Sequence, residues 1–239
     1  MSEKKHVKPE DGTAIFYKLD EKFTQNLISQ LKTSHVGLEQ IELRARGVSA
    51  IGKILLEKHA VTETQKECCA IYDEVFADVI TSVYLAACAL DKPAQMVLRR
   101  AFELGIASVY LWDQPHVFWG WKHCDKDLNF NDMLVHLDSD VVRTFISARN
   151  TSFKEEDHLF DLPEARRIYR ALSNTVHGKI AFFETTQIQS RFSANNADWN
   201  NHIDQVNLIQ DILYNLWMNT FSNLANELKA NMPQFNRFK

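Results

Sequence analysis

The segment Arg166-Arg167-Ile168-Tyr169-Arg170-Ala171-Leu172-Ser173-Asn174-Thr175-Val176-His177-Gly178 concentrates side chains that can do chemistry. Arg170 and His177 are seven residues apart. At about 100° per residue that is about 700°, so on a helix both lie on one face, two turns from each other. Ser173 and Asn174, three and four residues after Arg170, fall between them. One polar stripe thus bears a guanidinium, a hydroxyl, a carboxamide and an imidazole. The imidazole titrates near neutrality, and the guanidinium keeps its charge and presents a planar fork of donors. Ile168, Leu172 and Val176 form an apolar row on the opposite side. Arg166, Arg167, Arg170 and Lys179 make a local basic cluster, set against Glu164 and Glu184. Such a cluster is either a solvated helix face or a phosphate-binding patch. A histidine near a helix C-terminus is also favoured by the macrodipole alone.

The rest of the chain must supply the elements that hold this stripe. Seven Gly and five Pro in 239 residues are about half the average usage of the two. Sheets consume Gly and Pro in their turns, so the composition points to an all-α chain and away from a β-sandwich or a Gly-rich dinucleotide fold. Hydrophobic residues are 45% and charged residues 24%, enough to build a core and too apolar for wholesale disorder. The net charge of −4 excludes a generally basic domain, so any nucleic-acid contact must come from a local patch. No run of 18 apolar residues predicts a membrane span, and Met1–Asp11 lacks the apolar core of a signal peptide. Cys68, Cys69, Cys88 and Cys124 show no CxxC spacing, which predicts reduced thiols in a cytoplasmic protein.

Residues 1–13 read as a disordered lead, and 14–61 as a helical extension with helices over Phe16–Leu31 and Val48–Ala60. Residues 62–232 read as the main bundle. Thr62 is a predicted N-cap. Tyr72, Val75, Phe76, Val79, Ile80, Val83, Ala87 and Leu90 follow the spacing of one face of a helix running from about 63 to 90. Asp91-Lys92-Pro93 stops it and starts an antiparallel neighbour over 93–112, with Val97, Ala101, Leu104, Ser108 and Leu111 inward. Trp112–Trp121 reads as irregular, and 131–137 and 141–148 as short helices. Asp161 caps the helix that carries the stripe. A last helix over Trp199–Ala230 presents Val206, Ile209, Leu213, Leu216, Trp217, Phe221, Leu224 and Leu228. The expected fold is an all-α, up-and-down four-helix bundle with short N-terminal and inserted helices.

Within this frame the stripe resembles the R-x(4–6)-H motif of HEPN domains (higher eukaryotes and prokaryotes nucleotide-binding). Tyr169-x-x-Leu172-Ser173-x-x-x-His177-Gly178 resembles an uncharacterised bacterial HEPN-like subgroup. Leu98-Arg99-Arg100-Ala101-Phe102-Glu103 is similar to that subgroup's preceding Arg-x-x-x-Glu helix. The resemblance covers roughly residues 63–230 in helix order. It implies a homodimer in which the motif Arg and His of two protomers meet at a cleft and cleave RNA without metal or other cofactor. Arg170 and His177 would be the catalytic pair, with His177 as base or acid and Arg170 on the phosphate. Ser173, Asn174, Arg166, Arg167 and Lys179 would bind or orient the RNA. The Arg99–Glu103 pair, four residues apart, would position the motif helix or be a plain helix salt bridge. Many nuclease members carry a polar residue directly after the Arg, where this chain has Ala171.

Three functional readings stay open at this point. One is a ribonuclease acting as a phage-defence effector or toxin, with a defence-system or antitoxin protein as partner. The second is a non-catalytic HEPN-like module that binds a nucleotide, nucleic acid or protein. The third is a plain helical scaffold. The dense run Trp112, His116, Phe118, Trp119, Trp121, His123 and Cys124 reads as a cap on the bundle, a dimer surface or a base-stacking surface. His116, His123, Cys124 and His136 lack a zinc spacing.

Overall fold

The computed structural model describes residues 14–33, 35–124, 126–176 and 192–237. The lead 1–13 and residues 177–191 lie outside them. Among the described residues the chain is helical and contains no strand, as the composition predicts. In chain order the helices are α1 (Ala14–Thr33), α2 (His35–Lys58), α3 (Glu63–Cys68), α4 (Ala70–Ala87), α5 (Asp91–Tyr110), α6 (Pro115–His123) and α7 (Phe130–Leu137). They continue as α8 (Asp140–Arg149), α9 (Leu162–Val176), α10 (Asn196–Thr220) and α11 (Leu224–Asn231). A 3-10 turn over Pro233–Arg237 follows.

The helices α4, α5, α9 and α10 form the bundle. α4 packs on α5, α5 on α9, α9 on α10 and α10 back on α4, with α5 also touching α10. The α4–α5 pairing is the most extensive, because only Cys88–Leu90 join the two and force them to lie side by side. Ala89 turns the corner in the left-handed region at φ 60°. Ser108 sits buried inside this bundle. Its hydroxyl donates to the Gly105 carbonyl and accepts from the Trp217 indole at 3.1 Å.

Helix α2 is longer than the periodicity predicts, and the reason is its glycines. Gly37, Gly47 and Gly52 dilute the helical signal of a segment whose Ile41, Ala45, Val48, Ile51 and Leu55 are all buried. Two of them serve close packing. A Cβ on Gly52 would lie 2.8 Å from the Tyr72 Cβ, and one on Gly47 would collide with the Tyr214 hydroxyl and the Phe235 ring. α2 therefore lies directly on α4 and also touches α10 and α11, so residues 35–58 and the bundle share one core.

Other elements depart from expectation for local reasons. The helix predicted over 63–90 breaks at Cys69, whose thiol donates to the Gln65 carbonyl. The Thr62 cap is present as a full capping box, with Gln65 reciprocating. Ile80, placed on the inward stripe, is an exposed edge residue. On α5 the inward face turns to Leu98, Phe102, Ile106 and Val109 beside Ala101 and Ser108, while Val97 and Leu104 are half-buried. The stretch around Trp119 forms α6, with Pro115 at the helix start, where a missing N–H costs nothing. The predicted final helix is interrupted at Phe221–Asn223, where Asn223 adopts φ 63°. Its apolar stripe nonetheless stays buried across the break, from Val206 to Leu228. None of the helices among the described residues is long and apolar enough to cross a membrane.

Candidate functional site

Helix α9 begins where the sequence predicts. Asp161 Oδ1 accepts from the Glu164 amide at 2.9 Å, which satisfies one of the free donors of the first turn. Ala165, Ile168 and Leu172 are 0–1% exposed and face the core. This burial sets the rotation of the helix, so Arg166, Arg167 and Arg170 must point outward, and all three are exposed.

Tyr169 lies at the boundary between these faces and fastens α9 to α5. Its hydroxyl donates to Glu103 Oε1 at 2.9 Å and accepts from Arg99 Nη2 at 2.7 Å. Arg99 Nε donates to the same Glu103 oxygen at 2.9 Å, closing a three-residue ring of charge-assisted bonds. The Arg99 guanidinium stands 4.8 Å from the Tyr169 ring centre, and the Phe130 ring stacks on that ring with centroids 3.9 Å apart. Burial and the neighbouring Glu103 carboxylate push the Tyr169 phenol up, so it stays protonated and donates.

The predicted site residues therefore divide. Arg99 and Glu103 meet each other and reach the motif helix through Tyr169. Arg170 and Arg166 have no ion-pair or hydrogen-bond partner among the described residues. Arg167 forms two bonds of 2.6 Å with Glu164, one turn earlier. Ser173 is half-buried, and its hydroxyl donates to the Tyr169 carbonyl at 2.8 Å. Asn174 is half-buried beside it. His177 and Lys179 lie outside the described residues. The motif phrase contains Tyr169, yet the sequence gives it no task. The available signal was its position, one residue from the outward Arg170 and one from the buried Ile168, where a long amphipathic side chain can reach a neighbouring helix.

The other highlighted residues separate by burial. Trp112 and Phe118 belong to the core, whereas Trp119 is 40% exposed and stacks on His123 at 4.7 Å. Burial pushes the Cys68 thiol up to about 12 and the Cys69 thiol up to about 11, so both are inert thiols inside the fold. Among the described residues no three His, Cys, Asp or Glu side chains converge to hold a cation. No family model matches the chain, and no curated protein or solved structure matches it either.

Proposed function

We propose that this protein is a HEPN-like endoribonuclease that cuts RNA without a metal, acts as a homodimer in the cytoplasm, and serves as a phage-defence or toxin effector. The observation that carries this reading is the division of α9. One side is buried and tied through Tyr169 to Arg99 and Glu103, and the other presents Arg166 and Arg170 without an internal partner. A cation that no carboxylate neutralises is available to a phosphate, and a helix held at two places can present it at a set position.

In this reading His177 takes the proton of an RNA 2′-hydroxyl, whose oxygen attacks the adjacent phosphorus. Arg170 holds the phosphorane's negative charge. The bond from phosphorus to the 5′-oxygen breaks, and that oxygen leaves with a proton from an imidazolium, the same or its counterpart across the dimer. The products are a 2′,3′-cyclic phosphate and a 5′-hydroxyl. Cleavage by the full-length protein in EDTA, with those ends and with loss in His177→Ala, is the expected result. Equal cleavage by wild type and His177→Ala would remove the assignment.

A second reading has its own support. Ala171 follows the motif Arg, Arg167 is engaged by Glu164 and the Ser173 proton is spent inside the helix. These favour a non-catalytic module that binds nucleic acid, a nucleotide or a protein through Arg166 and Arg170. RNA binding without cleavage would select it.

A further inference from the structure

A depression of about 590 Å³ opens at the start of the motif helix. Leu159, Phe160, Leu162 and Pro163 make its apolar side, and Asp138, His158, Asp161, Asn215 and Asn219 make its polar side. Hydrogen bonds hold the walls in place. Asn219 Nδ2 donates to the Leu159 carbonyl at 3.0 Å, and Asn150 Nδ2 donates to the Asn219 carbonyl at 2.8 Å. His158 Nδ1 lies 2.7 Å from Asp138 Oδ1. The size falls in the range of small-molecule sites, with an apolar surface beside a few polar groups.

What the walls leave unused defines the ligand. Asp161 spends Oδ1 on the α9 cap, which leaves its second oxygen. The Asn215 carboxamide makes no hydrogen bond among the described residues, and the only bond of the Asn219 side chain there is the one from its nitrogen. Two carboxylates disfavour a phosphate inside the depression. A carboxylate oxygen and two carboxamides suit a planar group that carries N–H donors beside ring acceptors, as a nucleobase with an exocyclic amino group does.

The location ties this depression to the stripe. Pro163 lies seven residues before Arg170, so both occupy one face of α9, about 10 Å apart along the axis. Arg166 lies between them, exposed and without an ion-pair partner among the described residues. Resting on the ribonuclease reading, we propose that the depression receives an amino-bearing base, cytosine, adenine or guanine, of the RNA strand whose phosphates lie on Arg166 and Arg170. It is the specificity pocket of that site.

The test uses the full-length protein and single-stranded 2′-O-methyl oligonucleotides of equal length, oligo-U and oligo-U carrying a short central run of C, A or G, which bind but cannot be cut. At least one of the C-, A- or G-bearing strands is expected to bind about tenfold more tightly than oligo-U, in line with one good base contact. Asn215→Leu alters an exposed side chain, and Asp161→Asn keeps the helix cap while removing the charge. Both are expected to bring that ratio close to one with unchanged melting temperature. Three results overturn the inference and leave the ribonuclease reading standing: no preference against oligo-U in wild type, a preference that survives both variants, or an equal loss for all four oligonucleotides. Absence of binding to any oligonucleotide overturns both.

Discussion

Arg99 and Arg170 sit on facing helices of one bundle and do opposite things with the same side chain. Arg99 is four-fifths buried, shares Glu103 with Tyr169 and lies against an aromatic ring. Arg170 stands in solvent with no carboxylate among the described residues within reach. Arg100, the residue after Arg99, repeats the first pattern toward α4. Its Nη1 meets both oxygens of Asp78 at 2.7 Å, and its Nη2 meets Glu74 at 2.8 Å. The contrast teaches how to sort the arginines here. A guanidinium already spent on internal carboxylates positions helices, whereas one with unspent donors is available to a ligand.

The sharpest break of this comparison is to remove one arginine function at a time. Arg170→Ala is expected to lower RNA cleavage by about 100-fold or more, the scale of losing one charge-stabilising contact, with the melting temperature unchanged. Initial rates on end-labelled RNA and a thermal melt on the same preparation check both halves. A large fall in melting temperature would place Arg170 among the structural arginines.

The buried interior sets the next effect. His202 is 3% exposed, and its Nε2 has no partner among the described residues. Burial holds its pKa down at about 4. The unfolded chain takes up that proton near pH 6.5, and the folded chain only near pH 4. Stability from this group is therefore fully present above pH 6.5 and falls as the pH drops through that window. The total loss is on the order of 3 kcal/mol. Urea titrations between pH 7 and 4 are expected to follow this slope in wild type, and His202→Gln should flatten it. An unchanged slope in the variant would assign the acid sensitivity elsewhere.

Smaller effects test the anchor itself. Tyr169→Phe keeps the stack on Phe130 and removes the hydroxyl between Arg99 and Glu103. It should cost about 1 kcal/mol in denaturant unfolding, since the Arg99–Glu103 pair survives. It should also change cleavage far less than Arg170→Ala does. Arg167→Ala breaks a largely exposed pair with Glu164 and is expected to change stability by less than about 0.5 kcal/mol. A larger loss would show that this pair does more than decorate the first turns of α9.

Much of the fold was legible in the chain because its signals are local. The Thr62 and Asp161 caps, the Pro93 restart and the buried stripe from Val206 to Leu228 each depend on residues within a few positions of one another. Helix α2 was only partly legible. Its glycines weaken the helical signal, and their value shows only where Tyr72, Tyr214 and Phe235 press against them. The break at Asn223 escaped the periodicity because the apolar spacing continues across it.

For the candidate site, the sequence by itself determined that Arg166 and Arg170 share the outward side of one helix, opposite Ile168 and Leu172. Helical geometry and the cost of burying a charge leave no other rotation. Only the tertiary structure decided that Arg99 and Glu103, 70 and 66 residues before Tyr169, close a ring with its hydroxyl. It also decided that Arg99 turns to α9 while Arg100 turns to α4. Spacing along the chain sets only which side of a helix a residue occupies. Which partner faces that side follows from the packing of whole helices into one core, and no local pattern encodes it.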